Sequence, residues 1–125
     1  MEKSKRRILI VEDEQAIAQI YRFKLETSGY KVMTAFNGED GLKAFGDFDP
    51  ELILLDLRMP VMSGEEMLER LRSRDDGGNV RVIILTNISK DEAPAKLRLL
   101  DVDRYVVKAH HTPKQIVDII AEVLN

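Results

Sequence analysis

The sequence predicts an α/β fold, a five-stranded parallel sheet flanked by five helices and doubly wound. Three observations carry that prediction. Five short apolar runs rich in Val, Ile and Leu alternate with stretches whose apolar residues recur at helical spacing. The central run, Leu52-Ile53-Leu54-Leu55, is aliphatic throughout, as a strand buried on both faces of a helix-covered sheet must be. Four of the runs end abruptly in polar groups: Glu12-Asp13, Asp56, Thr86 and Lys108. If the strands are parallel, two acids, a further acid, a hydroxyl and an ammonium meet at the carboxyl edge of the sheet. Open α/β sheets bind ligands at that edge.

The bulk properties set the frame. A chain of 125 residues supports one sizeable core, so a single domain over residues 1–125 is expected. With 44% hydrophobic and 33% charged residues it has the composition of an ordinary globular protein. A net charge of -3 leaves no basic excess to neutralise phosphates or anionic lipid, which argues against direct nucleic-acid or membrane binding. Cysteine is absent, which excludes disulfides and thiol-ligated metals. No apolar run reaches the roughly 18 residues of a membrane span, and the first residues lack the apolar stretch of a signal peptide. A cytoplasmic location is the expectation.

The elements follow in order. Lys3, Lys5, Arg6 and Arg7 form a basic lead-in, read as a solvated tail before the strand Arg7 to Val11. After the acidic turn Glu12-Asp13-Glu14, the residues Ile17, Ile20, Tyr21 and Leu25 predict an amphipathic helix from Gln15 to Thr27, with Phe23 at the edge of its stripe. Gly29 stands at the C-terminal cap position, and Tyr30 to Ala35 reads as the second strand. Asn37 is the expected N-cap of a second helix that turns Leu42 and Phe45 inward and stops at Gly46 and Asp49-Pro50. Beyond the central strand, Arg58 to Gly64 is a loop. Met67, Leu68 and Leu71 mark the inner face of a third helix from about Glu65 to Arg74. The turn-rich stretch Asp75 to Asn79 leads to the fourth strand, Val80 to Leu85. Ser89 and Glu92 have capping-box spacing, predicting a fourth helix to about Leu100, with Pro94 set to shift or kink its first turn. Arg104 to Lys108 is the fifth strand, and Thr112-Pro113 opens a last helix to Leu124.

The polar strand ends suggest a chemistry. Two carboxylates about 4 Å apart repel by roughly 4 kcal/mol at an effective dielectric near 20. Glu12, Asp13 and Asp56 together therefore need a proton, a cation or a metal. Lys108 is one candidate. An all-oxygen set without His or Cys suits a hard divalent cation such as Mg²⁺. Beside such an ion, Asp56 could attack a phosphoryl group as a carboxylate nucleophile and form an acyl phosphate. Lys108 and the Thr86 hydroxyl would hold the other phosphoryl oxygens. Each residue alone has an ordinary reading, as turn former, strand filler or solvated strand end. At the ends of four separate strands the set is specific.

The motifs Ile8-Leu9-Ile10-Val11-Glu12-Asp13-Glu14, Asn37-Gly38-Glu39, Leu54-Leu55-Asp56-Leu57-Arg58-Met59-Pro60 with Gly64, Ile84-Leu85-Thr86 and Tyr105-Val106-Val107-Lys108 cover nearly the whole chain. In them the sequence resembles the receiver domain of two-component response regulators, chemotaxis regulators included. The resemblance implies a flavodoxin-like sheet in strand order 2-1-3-4-5. It makes Asp56 the acceptor for a histidine kinase or histidine phosphotransfer protein, and Asp13 a direct Mg²⁺ ligand. Glu12 would help hold the metal, and Arg58 would lend its backbone carbonyl. Thr86 and Lys108 would contact the phosphoryl group. Thr86 and Tyr105 would form a switch that alters the surface of the fourth helix, fifth strand and fifth helix for a downstream effector. Such a module catalyses only its own phosphorylation and dephosphorylation.

Three positions depart from the family pattern. Asn87 stands where a small residue is usual, which narrows access to the phosphoryl site. Ala109 replaces the common proline after the lysine, so no cis bond is expected there. Asp101-Val102-Asp103-Arg104 replaces the Gly-Ala-Asp-Asp type of segment common in regulators with winged-helix output domains, which weakens any carry-over of their dimer interface. Other readings compete. A phosphohydrolase with an Asp nucleophile would want an acid two residues on, where Arg58 stands. A flavodoxin-like electron carrier would want a Ser/Thr/Gly-rich loop after the first strand, where Glu12-Asp13-Glu14 would repel phosphate. A pseudo-receiver would act only as a protein-interaction module. His110-His111 reads as an exposed loop rather than a metal pair. The wide apolar face of the last helix, Ile116 to Leu124, is mostly core with room for a partner or homodimer contact.

Overall fold

Five apolar runs form the strands of one parallel sheet in the computed structural model, which describes residues 5–125. They are β1 (Arg7–Val11), β2 (Lys31–Ala35), β3 (Leu52–Leu55), β4 (Arg81–Thr86) and β5 (Arg104–Val107), in the order β2-β1-β3-β4-β5. The α-helices are α1 (Gln15–Thr27), α2 (Gly38–Phe48), α3 (Gly64–Arg72) and α4 (Pro113–Leu124). Fold class and strand order are those the sequence predicts. Lys3, placed in the basic lead-in, lies outside the described residues.

Side chains alternate across each strand, and the two faces make two cores. Leu9, Val11, Ile53, Leu55, Val82 and Ile84 pack with Phe45 of α2 and with Met67, Leu68 and Leu71 of α3. Ile8, Ile10, Leu52, Leu54, Ile83 and Leu85 pack with Ala18, Tyr21 and Leu25 of α1 and with Ile116 and Ile120 of α4. All four residues of β3 are buried. At about 1.5–3 kcal/mol for each large side chain removed from water, that strand alone holds the sheet centre firmly.

The helix termini follow their capping chemistry. The Asn37 side chain accepts from Asp40 N–H at 2.8 Å. Thr112 and Gln115 close a full capping box, with Pro113 in the first turn, where its missing N–H costs nothing. Gly29 has φ +98°, the left-handed geometry expected after α1. The inner face of α1 differs from the predicted stripe: Ala18, Tyr21 and Leu25 are buried, whereas Ile20 is 50% and Phe23 69% exposed. The apolar spacing there marks two faces of the helix, and only one meets the sheet.

The fourth predicted helix does not form. Between β4 and β5 the chain makes two short 3₁₀ turns, Lys90–Glu92 and Ala95–Leu99. Ser89 makes no side-chain cap, and Ala93 and Pro94 are extended with ψ near 145° and 131°. Pro94 is the cause: its ring drives the preceding residue out of the helical region and it has no N–H to offer. A capping-box spacing that runs into proline after one turn cannot propagate. The expected switching surface is therefore built from these 3₁₀ turns, β5 and α4.

Candidate functional site

Strand register sets the site. Val11 lies opposite Leu55 and Thr86 opposite Val107, so the next residues, Glu12, Asp56 and Lys108, leave the sheet at one edge. Asp56 N–H donates to the Val11 carbonyl at 3.0 Å, which carries the β1–β3 ladder one residue past its formal end. The sheet thereby delivers Asp56 and Glu12 side by side, 8% and 3% exposed, with Thr86 at 1%.

Lys108 Nζ donates to both carboxylates, to Glu12 Oε1 and to Asp56 Oδ2 at 3.1 Å. The second Asp56 oxygen accepts from Leu57 N–H at 2.7 Å, and Glu12 Oε2 accepts from Glu14 N–H at 3.1 Å. One carboxylate oxygen each from Glu12, Asp13 and Asp56 come within 4.8 Å of one another. A cleft of about 320 Å³ opens over them, and Arg58, Thr86, Asn87 and Glu92 line it with Asp13 and Asp56. The structure thus brings Glu12, Asp13, Asp56, Arg58, Thr86 and Lys108 to one place. Asn87 is exposed at the wall of the cleft.

The electrostatics follow from that crowding. Burial raises the Glu12 carboxyl above its ordinary value, the hydrogen bonds from Lys108 and Glu14 N–H pull against it, and the Asp56 charge adds to the rise. Burial works to lower Lys108, but its bond to Glu12 and the charges of Asp56 and Glu12 hold it above an ordinary lysine. With three carboxylates and one ammonium, the surplus negative charge favours a proton on both groups.

The loop carrying Asp56 is braced by close backbone approaches. Gly64 N–H donates to Leu57 O at 2.9 Å, and a Cβ at Gly64 would stand 2.0 Å from the Asp56 carbonyl oxygen. Gly38 N–H donates to Met62 O at 3.0 Å, and a Cβ there would meet that oxygen at 2.8 Å. Between them Met62 N–H bonds to Pro60 O at 2.7 Å, a γ-turn that forces Val61 to φ +68°. The sequence places both glycines in motifs but carries no signal for the backbone each one touches.

Tyr105, half-buried, donates from its hydroxyl to Ile88 O at 2.8 Å, two residues beyond Thr86. Its hydroxyl is pushed up by burial and by the charges of Asp56 and Glu92. A single arginine holds the far end of the 90–101 segment. Arg72 donates to the carbonyls of Gly77, Val80, Leu100 and Asp101 at 2.8–2.9 Å, an anchor with no signature in the sequence. Ala109 sits in a 3₁₀ turn, and the described residues contain no cis peptide. His111 is half-buried, with Nδ1 bonded to Val107 O at 3.1 Å, while His110 is exposed.

Comparison with known proteins agrees with this geometry. The family model of the response regulator receiver domain matches residues 8–121. Among curated relatives, an uncharacterized transcriptional regulatory protein, YkoG of Bacillus subtilis, is 40% identical over 118 residues, covering 93% of this chain and 48% of that protein. The cell cycle transcriptional regulator CtrA of Caulobacter vibrioides is 35% identical, covering 94% and 50%. The chain spans about half the length of these relatives. Among solved structures, a CheY-like receiver domain protein from Methanospirillum hungatei superposes with TM-score 0.85 at 31% identity, covering 97% of this chain and 94% of that one. TrrA of Thermotoga maritima, solved in complex with Mg²⁺-BeF, gives TM-score 0.78 at 31% identity, covering 93% and 97%. With its strand order, its acidic edge and these likenesses, the chain belongs to the response regulator receiver domain family.

Proposed function

We propose that the chain is a phosphorylation-dependent signalling receiver that takes a phosphoryl group onto Asp56 from a phosphohistidine of a histidine kinase or phosphotransfer protein. The observation that carries this is the state of the Asp56 carboxylate. It is buried, with one oxygen fixed by Leu57 N–H and the other by Lys108, and it faces an open cleft. Such a carboxylate is held in one orientation and aimed at the cleft. The Asp56 oxygen forms the new O–P bond as the N–P bond of the donor breaks, and the donor imidazole leaves with a proton. Lys108 and Thr86 then face the phosphoryl oxygens across the cleft.

The oxygen set fits Mg²⁺, since three carboxylates converge and no softer ligand is present. Asp13, Asp56 and the Arg58 carbonyl would hold the ion, with Glu12 behind them. Bound there, Mg²⁺ would neutralise the carboxylates and the incoming phosphoryl oxygens. That TrrA was solved with Mg²⁺-BeF supports the reading.

The module turns over no outside substrate. Its output runs through Thr86 and Tyr105: a phosphoryl group that draws the Thr86 hydroxyl changes the loop at Ile88 to which Tyr105 is bonded. The relatives named as transcriptional regulators support an effector domain or protein as the target. Among the described residues no helix is long and apolar enough to cross a membrane. The test is intact-mass analysis after incubation with a small-molecule phosphodonor. One phosphoryl group gained only with Mg²⁺ is expected. A metal-bound protein that gains none from the small donor or from phosphorylated histidine kinases would be a pseudo-receiver.

A further inference from the structure

We propose that the open edge of β2 pairs with the β2 edge of a second copy of this chain, antiparallel about a two-fold axis through Met33, making one continuous sheet. This goes beyond the phosphorylation reading and does not depend on it. Among the described residues β2 is an outermost strand, with β1 its only strand neighbour. Lys31 N–H donates to Arg6 O at 2.9 Å, and Ala35 O accepts from Glu12 N–H at 3.0 Å. Alternate residues of a parallel strand bond to the same side. Residues 31, 33 and 35 therefore bond inward to β1, and Val32 and Thr34 direct their N–H and C=O groups outward. Among the described residues no loop backbone bonds to those groups.

The outward pattern is self-complementary. With Met33 opposite Met33 of the second copy, Val32 faces Thr34 and Thr34 faces Val32. Both are hydrogen-bonded pairs, and together they use every outward donor and acceptor of the two residues. The side chains fit as well. A groove of about 230 Å³ runs between β2 and α2, with Met33 and Ala35 on the strand side and Asp40, Lys43 and Asp47 on the helix side. In this register Lys31 of the second copy lies opposite Ala35 and enters the groove beside Asp40. The Asp40 carboxylate accepts from the neutral Asn37 amide at 3.0 Å, so its charge is available. The two-fold axis repeats that Lys31–Asp40 match, and it brings the side chains of the two Met33 residues, each residue 37% exposed, together. Lysine on an edge strand ordinarily guards against strand addition. Here the opposing carboxylate turns the guard into a recognition element.

The absence of cysteine makes the test direct. In a non-hydrogen-bonded antiparallel pair the Cα atoms lie roughly 4.5 Å apart, within the range a disulfide bridges. Met33→Cys should cross-link to a covalent dimer under mild oxidation at micromolar protein. Lys31→Cys, which faces Ala35 rather than itself, should cross-link at least about tenfold more slowly. Adding Thr34→Pro to Met33→Cys removes an outward N–H and should abolish the cross-link, with circular dichroism confirming the fold. Asp40→Lys should slow it, and Lys31→Glu with Asp40→Lys should restore it. Equal rates for the two single-cysteine variants, or no response to either Thr34→Pro or the charge exchange, would overturn the proposal.

Discussion

Lys108 bridges Glu12 and Asp56, and its Nζ to Asp56 Oδ2 contact of 3.1 Å is the direct link between β5 and the carboxylate at the end of β3. The ammonium occupies the centre of a cluster with a surplus of negative charge, so its removal changes both stability and metal affinity. Lys108→Ala leaves the buried carboxylates facing one another without a counter-charge. A loss of about 3–5 kcal/mol is expected in metal-free buffer. Mg²⁺ should bind at least about tenfold more tightly once the competing cation is gone, which isothermal titration would read as more than about 1.4 kcal/mol. Unchanged affinity would mean that Lys108 and the ion do not share the site.

The same cluster sets a pH dependence. The folded pKa of Glu12 is raised above 4.5, so the stability linked to its proton is present below that value. It is lost as the pH rises through the raised value. Lys108 is also raised, from 10.5, so its contribution persists through neutral pH and is lost only as the pH climbs through its folded value. The urea midpoint of the wild type relative to Glu12→Gln should fall as the pH rises through the acid range. Superimposable profiles would contradict the placement of Glu12 in the cluster.

The γ-turn predicts a stabilising substitution. Val61 holds φ +68° and is 74% exposed, so the residue gives little packing in return for its strain. Relief of about 1–2 kcal/mol, less the 0.5–1 kcal/mol or so that glycine loses in chain entropy, should leave Val61→Gly more stable by about 0.5–1 kcal/mol. Chemical denaturation measures it. A loss of stability would show that the Val61 side chain carries a contact that outweighs the strain.

Gly64→Ala should do the reverse. Its Cβ would lie 2.0 Å from the Asp56 carbonyl oxygen, a clash that only a shift of the Asp56 loop can relieve. A cost of about 1–3 kcal/mol or more is expected, together with slower phosphorylation because the carboxylate moves with its backbone. If denaturation and phosphoryl uptake both match the wild type, the brace does not position Asp56.

Much of this was legible in the sequence because the strands are nearly pure aliphatic runs. Leu52 to Leu55 fits a strand buried on both faces, and the polar residue after each run marks where the sheet edge lies. The segment after β4 was not legible. Ser89 and Glu92 offer a helix start, and the competing demand of Pro94 on Ala93 stops it after one turn. The stripe of α1 was half legible: Tyr21 and Leu25 face the core, but periodicity alone does not say which side of Ile20 and Phe23 meets the sheet. The apolar width of the last helix was ambiguous too, and Val117, Ile119, Val123 and Leu124 prove to be partly buried against the α1 side of the core. The Lys108 bridge, the Arg72 anchor and the two glycine contacts depend on distances across the fold, which spacing along the chain does not encode.

The most direct measurement locates the phosphoryl group. After treatment with a phosphodonor and Mg²⁺, borohydride reduction converts an aspartyl phosphate to homoserine, and peptide mass mapping then finds the residue changed. The account predicts homoserine at position 56, none without Mg²⁺, and none in Asp56→Asn. Homoserine at position 13, or label retained at the wild-type rate in Asp56→Asn, would contradict it.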